Sequence, residues 1–337
     1  MVKLTVMENR TKVIGTPPRL MNAVTAGFNV TANHLYLLVL PVLIDVFLWL
    51  GPHVSVKKVM TPLMAEVNTF FRQANSPEMA QRIQGVSELW EQIFDSFNLL
   101  GLIRTLPIGI PSLMSSSGAV DTPFGAARIS EVSNVPVMLS IWLTVIVVGF
   151  FAGCVYLCLL SQATSEKKIK LSLAIFLNKA AQAFVITVGF FILLIALTFP
   201  ALMLVSVIAL INPVLGDFAL MFAGFLLIWI LFPLVFTPQA IFTGRTGLRL
   251  SIMTSIRLVR HFLPGAGLFV IIGLVFTQGM DVLWRVPPAN SWLTLVGIIG
   301  HAFIYTAVFA ASFIYFRSGL RWMLENLQTA QPQEIQT

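Results

Sequence analysis

Six stretches of this sequence are apolar for long enough to cross a bilayer, and that limits the fold before anything else does. A helix needs about 20 apolar residues to span the roughly 30 Å hydrocarbon core. The runs are residues 34–51, 135–160, 180–207, 216–238, 266–284 and 293–316. Apolar residues make up 57% of the chain and charged residues 10%, against about 25% charged in a typical soluble domain. Too few polar side chains exist to cover a water-facing surface. The sequence therefore predicts an all-α integral membrane protein built on a six-helix transmembrane bundle. Proline lacks a backbone donor and crowds the preceding turn. Pro200 is thus expected to kink the third run, which is too long for one straight span, and Pro41, Pro233 and Pro238 to kink the first and fourth.

The basic residues predict orientation. The N-terminal tail, residues 1–33, carries Lys3, Arg10, Lys12 and Arg19. The loop 161–179 carries Lys167, Lys168, Lys170 and Lys179, and the loop 239–265 carries Arg245, Arg249, Arg257 and Arg260. The tail 317–337 adds Arg317 and Arg321. These alternating segments hold 14 of the 21 basic residues, whereas the two short opposite loops hold only Arg285. Such a bias places the basic side, and with it both termini, in the cytoplasm of a cell (inner or plasma) membrane. The net charge of +7 then meets anionic phospholipid in the bilayer. Scattered along membrane boundaries, it does not read as a nucleic-acid surface. The first 33 residues lack the apolar core of a signal peptide, so the first span is expected to be retained.

Residues 52–134 are the one substantial water-exposed segment and read as a small extracytoplasmic helical hairpin domain. Thr61-Pro62 and Ser76-Pro77-Glu78 are start signals for its two helices. LLGLIRTLPIGIPSLM, residues 99–114, is apolar but broken by Gly101, Pro107, Gly109 and Pro111. It is expected to lie on the outer membrane surface or to cover the hairpin. Ser115–Asp121 reads as a flexible loop.

Three segments read as cytoplasmic interfacial amphipathic helices, each leading into a span. They are residues 17–34, 168–180 (KIKLSLAIFLNKA) and 247–263 (GLRLSIMTSIRLVRHFL). In the last, Leu248, Ile252, Ile256, Val259, Phe262 and Leu263 share one sector of the helical wheel, with Arg249 and Arg260 at its edge. That is the layout of a helix lying on lipid with its arginines reaching the phosphates. KLSL matches RLSI, so the three segments read as loose repeats. The stretch 240–276, with Gly244, Gly247, Ser255, Arg260, His261 and Phe262, resembles poorly characterised bacterial membrane proteins of the glycerophosphoryl diester phosphodiesterase membrane-domain group. In that group the phosphodiesterase sits in a separate soluble barrel with no counterpart in this sequence. The resemblance implies a membrane module and no activity.

Ionisable residues within spans are costly and each is a functional candidate. Asp45, His301, Gln278 and Asp281 fall at similar depth, with Asp217 at the start of the fourth span. Asp45 and His301 are expected to face the bundle interior, as a proton-relay or substrate-binding pair; the alternative is that Asp45 caps or pairs locally near the interface and His301 hydrogen-bonds a neighbouring helix. Arg249, Arg257, Arg260, His261, Lys167, Lys168 and Lys170 are candidates for lipid head groups. Cys154 and Cys158, four apart in the second span, read as packing residues. No protease, hydrolase or nucleotide motif and no metal-ligand spacing occurs, so neither catalytic residues nor a cofactor are expected. Three function classes remain. They are a non-enzymatic envelope scaffold, assembly factor or complex subunit that meets other membrane subunits through 52–134; a transporter or lipid-handling permease; and a membrane-embedded enzyme.

Overall fold

The computed structural model describes residues 18–73, 77–118, 121–166, 172–244 and 247–330, without the side chains of 70–83, 86 and 326–330. Helix dominates. Five helical segments are long and apolar enough to cross a membrane: Val135–Ala163, Leu173–Ile211, Pro213–Thr243, Leu263–Trp284 and Leu293–Glu325. A sixth exists only if Leu20–Asn33 and Leu35–Leu50 are taken together as one bent pair. By helix length and composition this is a multi-pass membrane protein.

The first expected span needs correction. It consists of a 3-10 turn, Leu35–Leu38, and helix α2, Val39–Leu50. Sixteen residues reach about 24 Å, short of the hydrocarbon core. The break lies at His34, whose φ of −133° and ψ of 57° are not helical. Pro41 is the third residue of α2, where the helix has no partner for a backbone donor anyway. Ahead of the break, helix α1 covers Leu20–Asn33.

The third run extends beyond its expected limits at both ends. Helix α6 is unbroken over Leu173–Ile211, with Pro200 inside it. No separate interfacial helix forms in the described part of 168–180. Ser172 caps α6, its Oγ accepting from the Ile175 N–H at 3.3 Å, and no glycine or proline between Leu173 and Ala183 interrupts the helix. Asn212 makes the following corner by accepting from the Val214 and Leu215 N–H groups at 2.9 and 3.3 Å. Pro213 then opens helix α7, Pro213–Leu231. A 3-10 turn over Phe232–Leu234 contains Pro233, and Pro238 sits in the first turn of α8, Thr237–Thr243. Helices α9 (Leu248–His261), α10 (Leu263–Trp284) and α11 (Leu293–Ala330) complete the chain. Arg317 and Arg321, expected in a tail, lie on α11.

The chain divides into two compact units. One comprises Met1–Ala32, Leu160–Gly273 and Ala307–Thr337. Its core gathers Ala23, Phe236, Leu258, Val259, Phe269, Tyr315 and Phe316, with the Phe269 and Tyr315 rings stacked at 4.6 Å. Gly27 lets α1 lie on α11, since a Cβ there would sit 2.5 Å from the Ala307 carbonyl oxygen. Helix α9 buries Ser251, Ser255, Leu258 and Val259; in the sector read as lipid-facing, Val259 is buried and Leu248, Ile252, Ile256, Phe262 and Leu263 are half-buried. Ser255 faces the helix break at Pro233. Ser255 Oγ donates to the Pro233 carbonyl at 2.8 Å and accepts from the Phe236 N–H at 3.2 Å, serving both backbone groups that the break frees. The most apolar windows of α6 and of the α7–α8 segment bury no residue.

The other unit comprises Asn33–Leu159 and Leu274–Thr306. Helices α3 (Lys57–Gln73) and α4 (Pro77–Ser96) form its hairpin. Helix α3 starts four residues before the expected Thr61 cap. The Lys57 N–H donates to Ser55 Oγ at 3.3 Å, and Pro62 falls inside the helix. Short strands accompany the hairpin. Strand β1 (His53–Ser55) pairs in parallel with β4 (Ile129–Glu131). Strands β2 (Asp121–Thr122) and β3 (Gly125–Ala126) turn through Gly125, whose φ of +106° suits glycine. The expected loop 115–121 includes part of a 3-10 turn, Met114–Ser116, and the start of β2.

Segment 99–114 is not a surface layer. Leu99 joins the core of the hairpin, but Ile108, Ser112 and Leu113 are fully buried. The segment runs along helix α5, Val135–Ala163. A Cβ on Gly149 would lie 2.1 Å from the Ile103 carbonyl oxygen, and one on Gly153 would lie 2.7 Å from Gly109 Cα. Those glycines are about 21 and 27 Å along α5 from Val135. Non-helical backbone therefore penetrates deep beside an apolar helix. Gly153→Val is expected to destabilise the protein by roughly 1–3 kcal/mol through overpacking, read as a lowered midpoint in a detergent denaturation series. Gly189→Val, where a Cβ meets nothing within 4 Å, is the control and leaves the midpoint unchanged.

Candidate functional site

Backbone carried that deep must find hydrogen-bond partners inside the protein, because lipid offers none. Asp45 supplies them. Its Oδ1 accepts from Ser112 Oγ at 2.5 Å and from the Met114 N–H at 3.0 Å, and its Oδ2 accepts from the Leu113 N–H at 3.0 Å. Ser112 Oγ in turn accepts from the Ser115 N–H at 3.0 Å. The carbonyls of the same stretch meet cations. Arg104 Nη1 donates to the Ser112 carbonyl at 3.4 Å, and Arg285 Nη2 donates to the Leu113 carbonyl at 3.0 Å and to Ser116 Oγ at 2.8 Å.

His301 lies beside this knot on α11. Its Nδ1 is 3.8 Å from Asp45 Oδ2, and its Nε2 is 3.4 Å from Asp281 Oδ1 on α10. Neither contact has hydrogen-bond geometry, and both imidazole nitrogens lack a hydrogen-bond partner among the described residues. Asp45 and His301 have no exposed surface, and the Asp281 side chain is 15% exposed. The Tyr305 ring packs on His301 with centroids 4.3 Å apart, and its hydroxyl accepts from Gln278 Nε2 at 3.0 Å. Arg104 acts electrostatically on Asp45, Asp281 and His301, and Arg285 on Asp281 and His301. Two carboxylates and two guanidiniums thus share this part of the structure, equal in formal charge. An imidazole between two carboxylates can pass a proton from one to the other. Among the described residues no group of three or more His, Cys, Asp or Glu could hold a metal ion.

All four intramembrane candidates read from the sequence lie in this one cluster. Asp217 does not; it is exposed at the start of α7. Arg104, Ser112, Arg285 and Tyr305 were missed. A lone arginine inside the apolar stretch LLGLIRTLPIGI was the available signal. The serine and tyrosine gave none. Cys154 and Cys158 are buried, unbridged packing residues.

The head-group candidates Arg249, Arg257, Arg260 and His261 are exposed on α9, while Lys167, Lys168 and Lys170 lie outside the described residues. Two other cations assigned to lipid-facing segments turn inward instead. Lys179 is buried and donates to the Phe242 carbonyl in the last turn of α8, which also accepts from Ser161 Oγ at 2.9 Å. Arg317 donates to the Ser161 carbonyl at 2.6 Å and to Thr164 Oγ1 at 2.8 Å. A cation at a helix C-terminus satisfies carbonyls that the helix leaves open.

Comparison with family models, with curated proteins and with solved structures returns no match. Asp45→Ala is expected to cost about 3–5 kcal/mol, since it strips a buried charged network of its acceptor. Chemical denaturation in detergent measures this, and protease cleavage within 99–116 rises in parallel. Asp217→Ala, exposed, stays within about 0.5 kcal/mol of the parent.

Proposed function

We propose that this protein is a non-enzymatic envelope scaffold, an assembly factor or a subunit of a larger complex in the cell membrane. One observation carries the reading. Buried Asp45, half-buried Arg104 and Arg285 at the exposed edge, the charged groups around which a carrier could build a substrate site, are engaged in holding the protein's own segment 112–116. In the orientation read from the basic loops, residues 52–134 stand outside the cytoplasm as the partner-facing part. Their hairpin keeps Leu63, Val67, Leu89 and Ile93 exposed, which suits a protein neighbour. The likeness of 240–276 to membrane modules of the phosphodiesterase group supports a membrane-embedded role of the same kind. A second reading, lipid handling, is favoured by an apolar groove of about 370 Å³ between the hairpin and α5.

Purification from native membranes in mild detergent tests the first reading. A partner is expected to co-purify at fixed stoichiometry, and serines at Leu63, Val67 and Leu89 are expected to release it. Recovery of a lone chain that drives substrate flux in proteoliposomes, with the flux lost in His301→Ala, would favour a transporter instead.

A further inference from the structure

We propose that the groove at the start of α5 is a binding site for one acyl chain of a membrane phospholipid. This goes beyond the scaffold reading and does not depend on it.

The groove lies within one unit. Val56 just before α3, Met60 of α3, Trp90 and Phe94 of α4, Leu102 of the 3-10 turn Leu99–Ile103 and Trp142 of α5 are among its walls. Its volume of about 370 Å³ falls within the roughly 300–1,000 Å³ of ordinary ligand sites. Every lining side chain is apolar or aromatic. A polar ligand would leave its donors and acceptors unmatched there. The floor is built before any ligand arrives, because Val56, Phe94 and Leu99 belong to a buried core. A single flexible hydrocarbon chain fits.

Position selects the source of that chain. Leu139, Trp142 and Leu143 occupy the first turns of α5 and are 51%, 42% and 57% exposed. Leu139 and Trp142 also line the groove. In a membrane-spanning helix these residues meet lipid, so the groove is continuous with the lipid-facing surface and can be entered from the bilayer. Tryptophans belong at the level where acyl chains meet head groups, and Trp90 and Trp142 both line the groove while staying 41% and 42% exposed. Lys57 and Lys58 lie within one helical turn of Val56 and Met60. Lys57 pairs with Asp95 at 2.5 Å, and Lys58 is exposed. A phosphate head group above the groove would meet Lys58, since Lys57 is already engaged by Asp95 with Glu91 and Glu131 acting on it.

The full chain is reconstituted in vesicles of phosphatidylcholine and phosphatidylglycerol with a trace of phospholipid carrying a diazirine on one acyl chain. After irradiation, labelled peptides are mapped. The expected result is labelling at Trp90–Phe94 and Met138–Trp142 several-fold above that at Phe191–Phe199 of α6, which is exposed but has no groove. Leu102→Trp and Val56→Phe fill the groove and are expected to remove the excess. Equal labelling of groove and α6 in the unmodified protein overturns the proposal, whatever the variants do. So does undiminished groove labelling in a filled variant that keeps the parent denaturation midpoint.

Discussion

One carboxylate organises the interior of the strand-bearing unit. Segment 99–114 brings prolines, glycines and open amides against the buried interior at Ile108–Leu113, and Asp45 accepts from the Leu113 and Met114 amides and from the Ser112 hydroxyl. Without that acceptor the amide at Leu113 would be buried and unmet, at about 1–3 kcal/mol, and the part-buried amide at Met114 would lose its partner. The remaining arrangement follows from this demand. Arginines come to the freed carbonyls, and a second carboxylate, Asp281, offsets the added positive charge. The small residues Gly149 and Gly153 of α5 then let the segment close in. The cluster is thus a consequence of bringing irregular backbone into an apolar environment.

The same demand recurs in the other unit with different chemistry. Pro233 interrupts the path from α7 to α8, and the hydroxyl of Ser255 bridges the gap. The end of α8 is closed by Lys179 and Ser161. In each place a polar side chain from a distant part of the sequence meets backbone groups at a helix break or end. Long-range polar contacts of this kind fix which helices lie together in a setting where apolar burial alone discriminates poorly.

Much of the architecture was legible in the sequence because it is periodic or compositional. Run length located the long helices, and Asp45, His301, Gln278 and Asp281 stood out because charge or amide groups are rare among apolar neighbours. What escaped depended on pairings between remote residues. Nothing local marks Ser112 as the partner of Asp45 or Ser255 as the partner of Pro233, so the fate of 99–114 and the true buried face of α9 could not be read from periodicity. Lys179 and Arg317 carried the right charge for a boundary position, yet their partners are carbonyls and hydroxyls far along the chain. Pro200 lies inside a helix of 39 residues, because one lost hydrogen bond does not end a helix of that length.

That last helix sets a condition on its surroundings. From Ala183 to Ile211 it is almost wholly apolar and about 43 Å long, while a bilayer offers roughly 30 Å of hydrocarbon. To hide its length by leaning, the helix would have to incline by about 45°, beyond the usual range of such angles. The lipid must therefore thicken around it, or the corner at Asn212 must rest among head groups. Either way the α6–α7 hairpin makes the protein sensitive to bilayer thickness, and a thick, ordered membrane would hold it more comfortably than a thin one.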